Sequence, residues 1–122
     1  MKGLLLVAHG SRREQSNDEI ADVAKALQSR VSDKYEHTVH AFLELAKPSI
    51  PEGIEMLINQ GASEITVLPY FLSAGRHVHQ DVPEIVQAKQ GLHPEIPITI
   101  APYIGEASEM IDVLAAISKQ VE

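Results

Sequence analysis

The sequence predicts an α/β fold, a single-domain three-layer αβα sandwich built on a four-stranded parallel sheet. Four short apolar runs alternate along the chain with four segments of helical period. Runs that are apolar throughout are typical of strands covered on both faces, as in parallel sheets. The order βαβαβαβα with short links indicates right-handed crossovers. No interior linker interrupts the pattern, so residues 1–122 are predicted to form one domain.

The predicted strands are rich in Val, Ile and Leu and cover residues 3–8, 38–43, 65–68 and 98–101. The third and fourth runs both lead into a Pro-Tyr pair, at Tyr70 and Tyr103. Proline ends a strand because it cannot donate to the ladder. The repeated tyrosine has two readings: an aromatic ring that packs the end of the sheet, or one wall of a flat apolar cleft.

The predicted helices carry apolar residues at helical spacing. The first apolar stripe is Ile20, Val23, Ala24, Leu27 and Val31, the second is Ile50, Ile54, Leu57 and Ile58, and the last is Ile111, Leu114, Ile117 and Val121. The third helix, residues 82–90, is short.

Capping residues mark the predicted helix ends. Residues 16–19 and 49–52 read as capping boxes that begin at Ser16 and Ser49, and Asp81 is the predicted cap of the third helix. Gly61 and Gly91 fall where C-terminal caps are expected.

Composition excludes several classes of function. The formal net charge is −7 and no basic stripe exists, which argues against nucleic-acid binding. The sequence has no cysteine, which excludes disulfides, thiolate zinc sites and iron–sulfur clusters. The apolar run before His9 is too short for a signal peptide core or a membrane span. We therefore expect a soluble, cytoplasmic protein with no membrane partner.

Two histidines and one glutamate follow predicted strands. His9 follows the first strand, Glu44 the second, and His77 lies in the long loop after the third. Carboxyl ends of parallel strands share one rim of the sheet, and ligands bind there in open α/β folds. Two imidazoles and a carboxylate can hold a divalent metal or move protons. So few ligands leave coordination positions open, whereas a structural zinc site needs four.

The other histidines have different expected roles. His79, two residues beyond His77, is a further candidate ligand, a proton relay or a solvent-exposed residue. His37 and His40, which begin the second strand at the opposite end of the sheet, and His93, in a Pro-rich connection, are expected to be structural or solvent-exposed.

Four cationic residues lie near the strand ends, namely Arg12, Arg13, Lys47 and Arg76. A locally basic rim on an acidic body would suit a small molecule that carries carboxylates or phosphates. The alternative is that each is an ordinary solvated surface charge.

Several of these segments together resemble the short CbiX-type sirohydrochlorin chelatases. The resemblance is carried by residues 6–12 with their His-Gly-Ser-Arg motif, by Glu44, by residues 48–50, by residues 69–77 and by the Asp-Val-Pro of residues 81–83. It extends over nearly the whole chain, and the early and late motifs are specific in combination.

The resemblance implies insertion of Co²⁺ into sirohydrochlorin for cobalamin, or of Fe²⁺ for siroheme. The metal is then a substrate, and no permanent cofactor is expected. Imidazole ligands would also bind Ni²⁺ as that substrate. His9 and His77 match the metal-handling and catalytic histidines, and Glu44 matches the rim glutamate. His79 departs from the pattern.

The resemblance also implies a substrate surface and an assembly. The residues predicted to bind the macrocycle are Gly10, Ser11, Arg12, Tyr70, Phe71, Leu72, Ser73, Gly75, Arg76 and Tyr103. Short members are half the length of relatives with two such domains in tandem, which implies a homodimer.

Three other functions are alternatives to metal insertion. A histidine phosphatase would use His9 as nucleophile, but those enzymes carry Arg before that histidine, where this chain has Ala8. A metal or tetrapyrrole carrier would use the same ligands without turnover. A response-regulator-like domain lacks support because no acidic cluster follows the first strand.

Overall fold

Four parallel strands form one sheet in the computed structural model, which describes residues 1–73 and 75–121 and omits the side chains of His77 and Val78. The strands are β1 (Lys2–Ala8), β2 (His37–Phe42), β3 (Glu64–Pro69) and β4 (Ile98–Ile100), in the order β2-β1-β3-β4. The predicted parallel sheet is confirmed, with each strand end within one residue of the expected position.

The central position of β1 explains its uninterrupted apolar sequence. It pairs with β2 on one side and β3 on the other, so that Leu5 lies between Val39 and Val67. Leu5 and Val67 are fully buried. A strand flanked on both edges and covered on both faces has no position for a polar side chain.

Four longer helices connect or follow the strands. They are α1 (Glu14–Val31), α2 (Ile50–Asn59), α3 (Val82–Leu92) and α4 (Glu109–Ser118). A π-helical turn, His77–Asp81, precedes α3, and a 3-10 turn, Ile104–Glu106, lies between β4 and α4. None of the helices in the described part of the chain is long and apolar enough to cross a bilayer.

The main core lies between the sheet and the pair α2 and α3. Ile50, Ile54 and Leu57 of α2 are fully buried against it, as are Val82 of α3 and Val67 of β3. At about 25 cal/mol per Å² of apolar surface, burial of each such side chain contributes about 1.5–3 kcal/mol. Helix α1 covers the opposite face beside β2.

Helix α4 differs from the prediction. The predicted three-layer sandwich implies that its apolar stripe packs on the sheet, yet Ile111, Leu114 and Ile117 are 69%, 56% and 54% exposed. The one element in the described chain on which α4 packs appreciably is the 3-10 turn before it. In the described chain, α1 is therefore the one helix of its layer that packs on the sheet.

The helix ends confirm some of the predicted caps. The Ser49 capping box is present, with Ser49 Oγ accepting from the Glu52 amide and the Glu52 carboxylate accepting from the Ser49 amide. Gly61 follows α2 with a φ of 101°. Asp81 immediately precedes α3 but makes no capping hydrogen bond through its side chain.

Two predicted caps are wrong. Helix α1 begins at Glu14, before Ser16, because the Arg13 carbonyl already accepts from the Ser16 and Asn17 amides. Helix α3 continues through Gly91 to Leu92, where its last carbonyls accept from the His93 amide.

The strand order positions the candidate site. The chain leaves β1 toward α1 on one face and leaves β3 toward α3 on the other. Adjacent loops that diverge in this way open a crevice at the carboxyl ends of the strands, which is where α/β folds bind ligands. The loop that carries His9 and the loop that begins with residues 70–73 flank this crevice.

Candidate metal and substrate site

Gly10 allows the loop after β1 to touch the loop after β2. It adopts a φ of 100°, a conformation that side chains rarely permit, and a Cβ there would overlap the Glu44 carbonyl oxygen. The Glu44 amide donates to the His9 carbonyl oxygen at 3.0 Å, and the Leu43 amide donates to Ala8 at 2.9 Å. These bonds extend the β1–β2 pairing past the strand ends and hold Glu44 beside His9.

The His9 and Glu44 side chains face each other at the rim. His9 Nε2 lies 3.9 Å from Glu44 Oε1, and the side chains are 44% and 46% exposed. This separation is too long for a hydrogen bond but allows an ion pair once the imidazole is protonated. Both groups are therefore accessible to a ligand that approaches from solvent.

The hydrogen bond of His9 defines which ring nitrogen is basic. His9 Nδ1 lies 3.1 Å from the Gly10 carbonyl oxygen, which can only accept. A hydrogen bond to this carbonyl assigns the proton to Nδ1, and with that assignment the neutral ring keeps its lone pair on Nε2. The basic nitrogen thus lies on the Glu44 side, suited to bind a cation or accept a proton.

The start of α1 holds the motif loop in place. The Ser11 amide donates to Asn17 Oδ1 at 3.0 Å, and Asn17 Nδ2 donates back to the Ser11 carbonyl at 2.8 Å. Ser11 Oγ accepts from the Arg13 amide at 3.0 Å. Asn17 was not predicted as a site residue. The reciprocal bond spans six positions and is visible only in the folded loop.

A cavity of about 350 Å³ opens beside this loop and is lined by Ser11, Arg12, Asn17, His40 and Lys47, among others. The predicted position of His40 is wrong, because it is the fourth residue of β2, opposite Leu6, and not at the far end of the sheet. Burial lowers the pKa of His40, which favours its neutral form. The exposed His37 and the hydrogen-bonded His93 agree with the prediction.

The loop after β3 has a buried start and an exposed tip. The Tyr70 amide donates to the Val7 carbonyl at 2.7 Å, and Phe71 packs against the core. Leu72 is 71% exposed, and Ser73, Gly75 and Arg76 are exposed. This stretch thus exposes an apolar side chain and a guanidinium to solvent after β3.

The structure brings together only part of the predicted metal set. The His77 side chain lies outside the described residues, although its backbone begins the π-helical turn. His79 is exposed. Across the side chains that are described, no three His, Asp or Glu residues come close enough to hold one metal ion, so His79 does not complete a trio with His9 and Glu44.

Tyr70 and Tyr103 lie in one apolar groove of about 360 Å³. Its walls come from β1, β3, α1 and the segment after β4, and the residues that line it are Leu6, Val23, Leu27, Leu68, Pro69, Tyr70, Pro102, Tyr103, Ile104 and Ala107. None of the described residues that line this groove is charged. The repeated Pro-Tyr pattern therefore marks two neighbouring walls of one surface.

The chain is similar to chelatases in sequence. The CbiX family profile matches residues 3–121. A sirohydrochlorin cobaltochelatase of Sulfolobus acidocaldarius is 32% identical over 93% of this chain and 87% of its own length. The chloroplastic sirohydrochlorin ferrochelatase of Arabidopsis thaliana is 32% identical over 92% of this chain but 49% of its own length. The chain thus spans about half the length of several relatives that it matches.

Solved structures give the same result. A CbiX protein of Marinobacter aquaeolei, described as a cobalamin biosynthesis protein, has a TM-score of 0.80, 28% identity, and coverage of 98% of this chain and 96% of its own. The sirohydrochlorin chelatase SirB of Bacillus subtilis in complex with cobalt has a TM-score of 0.86 and 30% identity, over 98% of this chain and 50% of its own. Together with the rim geometry, these matches show that the chain belongs to the CbiX family.

Proposed function

We propose that this protein inserts a divalent metal, Co²⁺ or Fe²⁺, into sirohydrochlorin. The observation that carries the proposal is the position of His9, whose basic Nε2 lies 3.9 Å from the Glu44 carboxylate in an exposed crevice. Family membership supports the same reaction, because relatives named as sirohydrochlorin cobaltochelatases and ferrochelatases match most of the chain.

The reaction needs a base as well as a metal ligand. Metal insertion replaces two pyrrole N–H protons with one divalent cation, so two protons must leave the macrocycle. Neutral His9 would first donate its Nε2 lone pair to the incoming ion and then accept a proton there. His77 would do the same from the loop after β3. Glu44 would stabilise the imidazolium of His9 at ion-pair distance and draw the proton toward solvent.

The macrocycle carries many carboxylates, so its binding surface needs cations at the rim. Arg12 and Arg76 are exposed on the two loops that flank the crevice, and Arg12 shares the neighbouring cavity with Lys47. The crevice would be lined by the main-chain groups of Gly10, Ser11, Ser73 and Gly75. The apolar edge of the macrocycle would contact Leu72, Phe71, Tyr70 and Tyr103. The net charge of −7 does not prevent binding of this anionic macrocycle, because binding depends on the local charge at the rim.

The N-terminus of α2 already holds a carboxylate of its own chain. Glu52 already lies at the start of α2, where its pKa is lowered by its hydrogen bonds with Ser49. A carboxylate that occupies this terminus leaves no place there for a substrate carboxylate. The side chains of Arg12 and Arg76 are therefore the principal anion contacts in the proposal.

We also propose that two copies form a homodimer in the cytoplasm. The support is the comparison with relatives: the chain matches 87% of the Sulfolobus cobaltochelatase but 50% of SirB and 49% of the Arabidopsis ferrochelatase. A second copy would supply the half that these two longer relatives carry in one chain. The absence of cysteine accords with a reducing compartment.

The experiment is anaerobic absorbance spectroscopy of sirohydrochlorin mixed with Co²⁺ or Fe²⁺, with and without the protein. The proposal expects catalytic turnover above the background rate. A protein that retains stoichiometric metal or macrocycle without turnover is a carrier. Phosphatase activity that requires His9 would favour phosphoryl transfer instead.

A further inference from the structure

The loop after β2 carries an exposed leucine in a backbone conformation that leucine rarely adopts. Leu45 has a φ of 68°, and in the described chain it is the one residue other than glycine with a positive φ. It is also 52% exposed. In the left-handed region Cβ comes too close to the following carbonyl oxygen, so glycine and asparagine are favoured there. Strained backbone of this kind clusters at sites that hold a ligand.

The neighbours of Leu45 in the chain are fixed by hydrogen bonds. On one side, the Glu44 amide donates to the His9 carbonyl oxygen at 3.0 Å. On the other side, the Phe42 amide donates to the Pro48 carbonyl oxygen at 2.8 Å and closes the base of the loop. Both ends of this short loop are therefore held in place, and the turn between them is made with Leu45 in the left-handed region.

The order of the strands places Leu45 across the motif loop from Leu72. Because β1 lies between β2 and β3, the loop that carries His9 lies between the loops that carry the two leucines. Leu72 is 71% exposed. Neighbouring strands are about 5 Å apart, so the loops after β2 and β3 begin about 10 Å apart. That span is on the scale of a tetrapyrrole ring, with His9 between its two ends.

The cavity beside Leu45 combines apolar and cationic groups. Leu45 lines it together with Arg12 and Lys47, which come from the loops after β1 and β2, while Glu14 and Asp18 line the side formed by α1. A tetrapyrrole has an apolar ring face and carries its carboxylates at the periphery. An exposed leucine beside two cations at the loop edge is complementary to both parts of such a molecule.

We propose that Leu45 contacts the ring of the tetrapyrrole on the side opposite Leu72 and holds the ring over His9. The assignment rests on the proposed function and adds a substrate contact to it. Leucine has no lone pair and no exchangeable proton, so Leu45 neither binds the metal nor moves protons. Its contribution is to the affinity for the macrocycle, through apolar surface that both partners bury.

Binding of metal-free sirohydrochlorin, titrated anaerobically and followed by its absorbance and fluorescence, tests this contact without turnover. Leu45→Met keeps an apolar side chain of similar volume, whereas Leu45→Asn is polar but suits the left-handed backbone. We expect Kd to change by less than about twofold for Leu45→Met and to rise about 10-fold for Leu45→Asn. A purely structural role predicts the opposite order, because asparagine suits this backbone better than methionine does.

Two further variants control the comparison. Leu45→Gly also accepts the left-handed backbone and lacks a side chain, so we expect it to weaken binding as Leu45→Asn does. Leu92→Asn changes a leucine that is 71% exposed at the end of α3, at the opposite end of the sheet from the rim, and should leave Kd unchanged. Equal losses in Leu92→Asn and Leu45→Asn would overturn the contact. So would a loss in Leu72→Asn with wild-type binding in Leu45→Asn, because the ring would then lie on the crevice side alone.

Turnover of the same proteins separates this contact from the proposed reaction. A wild type that binds the macrocycle without inserting metal, together with weak binding by Leu45→Asn, would reject the reaction and keep the contact. A wild type that inserts metal, together with unchanged binding by Leu45→Asn and Leu45→Gly, would reject the contact and keep the reaction. A wild type that does not bind the macrocycle would reject both.

Discussion

At the residue scale, the contact between Gly10 and Glu44 determines where His9 can act. The backbone of Gly10 is in the left-handed region, and the Glu44 carbonyl fills the space of a Cβ. Any side chain at Gly10 would push the second loop away and move Glu44 from His9 Nε2.

Replacement of Gly10 therefore tests the geometry of the site. We expect Gly10→Ala to cost about 1–3 kcal/mol in the free energy of unfolding and to reduce turnover. The matched control is Gly91→Ala, which lies within α3 with open space around its Cβ position and should stabilise by about 0.5–1 kcal/mol. Urea denaturation of wild type, Gly10→Ala and Gly91→Ala measures both changes in the free energy of unfolding. A Gly10→Ala protein as stable as wild type would contradict the steric argument.

Glu44 is expected to assist His9 without being indispensable. Glu44→Gln keeps the size of the side chain and removes the charge, so we expect turnover to fall by about 10–100-fold. The measurement is the initial rate of metal insertion across a pH series. An unchanged rate at every pH would remove Glu44 from the mechanism. Glu84→Gln, an exposed residue on α3, is the control.

Sequence alone predicts His9 and Glu44 at one rim, because both follow strands of a parallel sheet. It does not predict the basic nitrogen of His9, which depends on a hydrogen bond to the next carbonyl. It also misplaces His40, since the polar residues of β2 obscure its register against β1. Such features depend on tertiary contacts that no local pattern encodes.

At the element scale, the start of α2 is determined by local chemistry. The Ser49 capping box provides hydrogen-bond acceptors for the Ser49 and Glu52 amides at the helix start. The same two residues predict this helix start from the sequence. We expect Ser49→Ala to cost about 0.5–2 kcal/mol in thermal or urea unfolding. Ser16→Ala, at the residue wrongly predicted as a cap, should be nearly neutral. A comparable loss in both proteins would contradict the assignment of these helix starts.

A polar cluster joins α2 to the end of α3. Glu55 Oε1 lies 2.6 Å from Lys89 Nζ and 2.9 Å from His93 Nε2. The hydrogen bond from Lys89, followed by that from His93, lowers the pKa of Glu55 below its ordinary value. The folded protein therefore holds the Glu55 proton less tightly than the unfolded chain does.

This cluster predicts a pH dependence of stability. The contribution of the cluster to the free energy of unfolding is fully present above the pKa that Glu55 has in the unfolded chain. This contribution is lost as the pH falls through the lowered pKa of Glu55 in the folded protein. We expect wild type to exceed Glu55→Gln in the free energy of unfolding at neutral pH, with a difference that shrinks on acidification. Urea titrations at several pH values measure this. A difference that grows in acid would contradict the assigned direction.

At the scale of the whole molecule, the parallel sheet was predictable because its strands are short and apolar throughout. The final helix was not. The sequence correctly identifies its apolar stripe at Ile111, Leu114 and Ile117. Periodicity indicates that a helix has an apolar face, but it does not indicate which surface packs against that face. The anchored turn at Gly105, which holds α4 away from the sheet, depends on contacts with Leu72 and Phe71 that are distant in sequence.

The most direct test of the central claim compares histidine variants in the chelation assay. Initial rates of Co²⁺ insertion into sirohydrochlorin are measured anaerobically for wild type, His9→Ala and His37→Ala, the last at an exposed histidine at the start of β2. The account predicts a loss of about 10²–10⁴-fold for His9→Ala and an unchanged rate for His37→Ala. A His9→Ala protein that turns over like wild type would contradict the assignment of metal and proton handling to this rim.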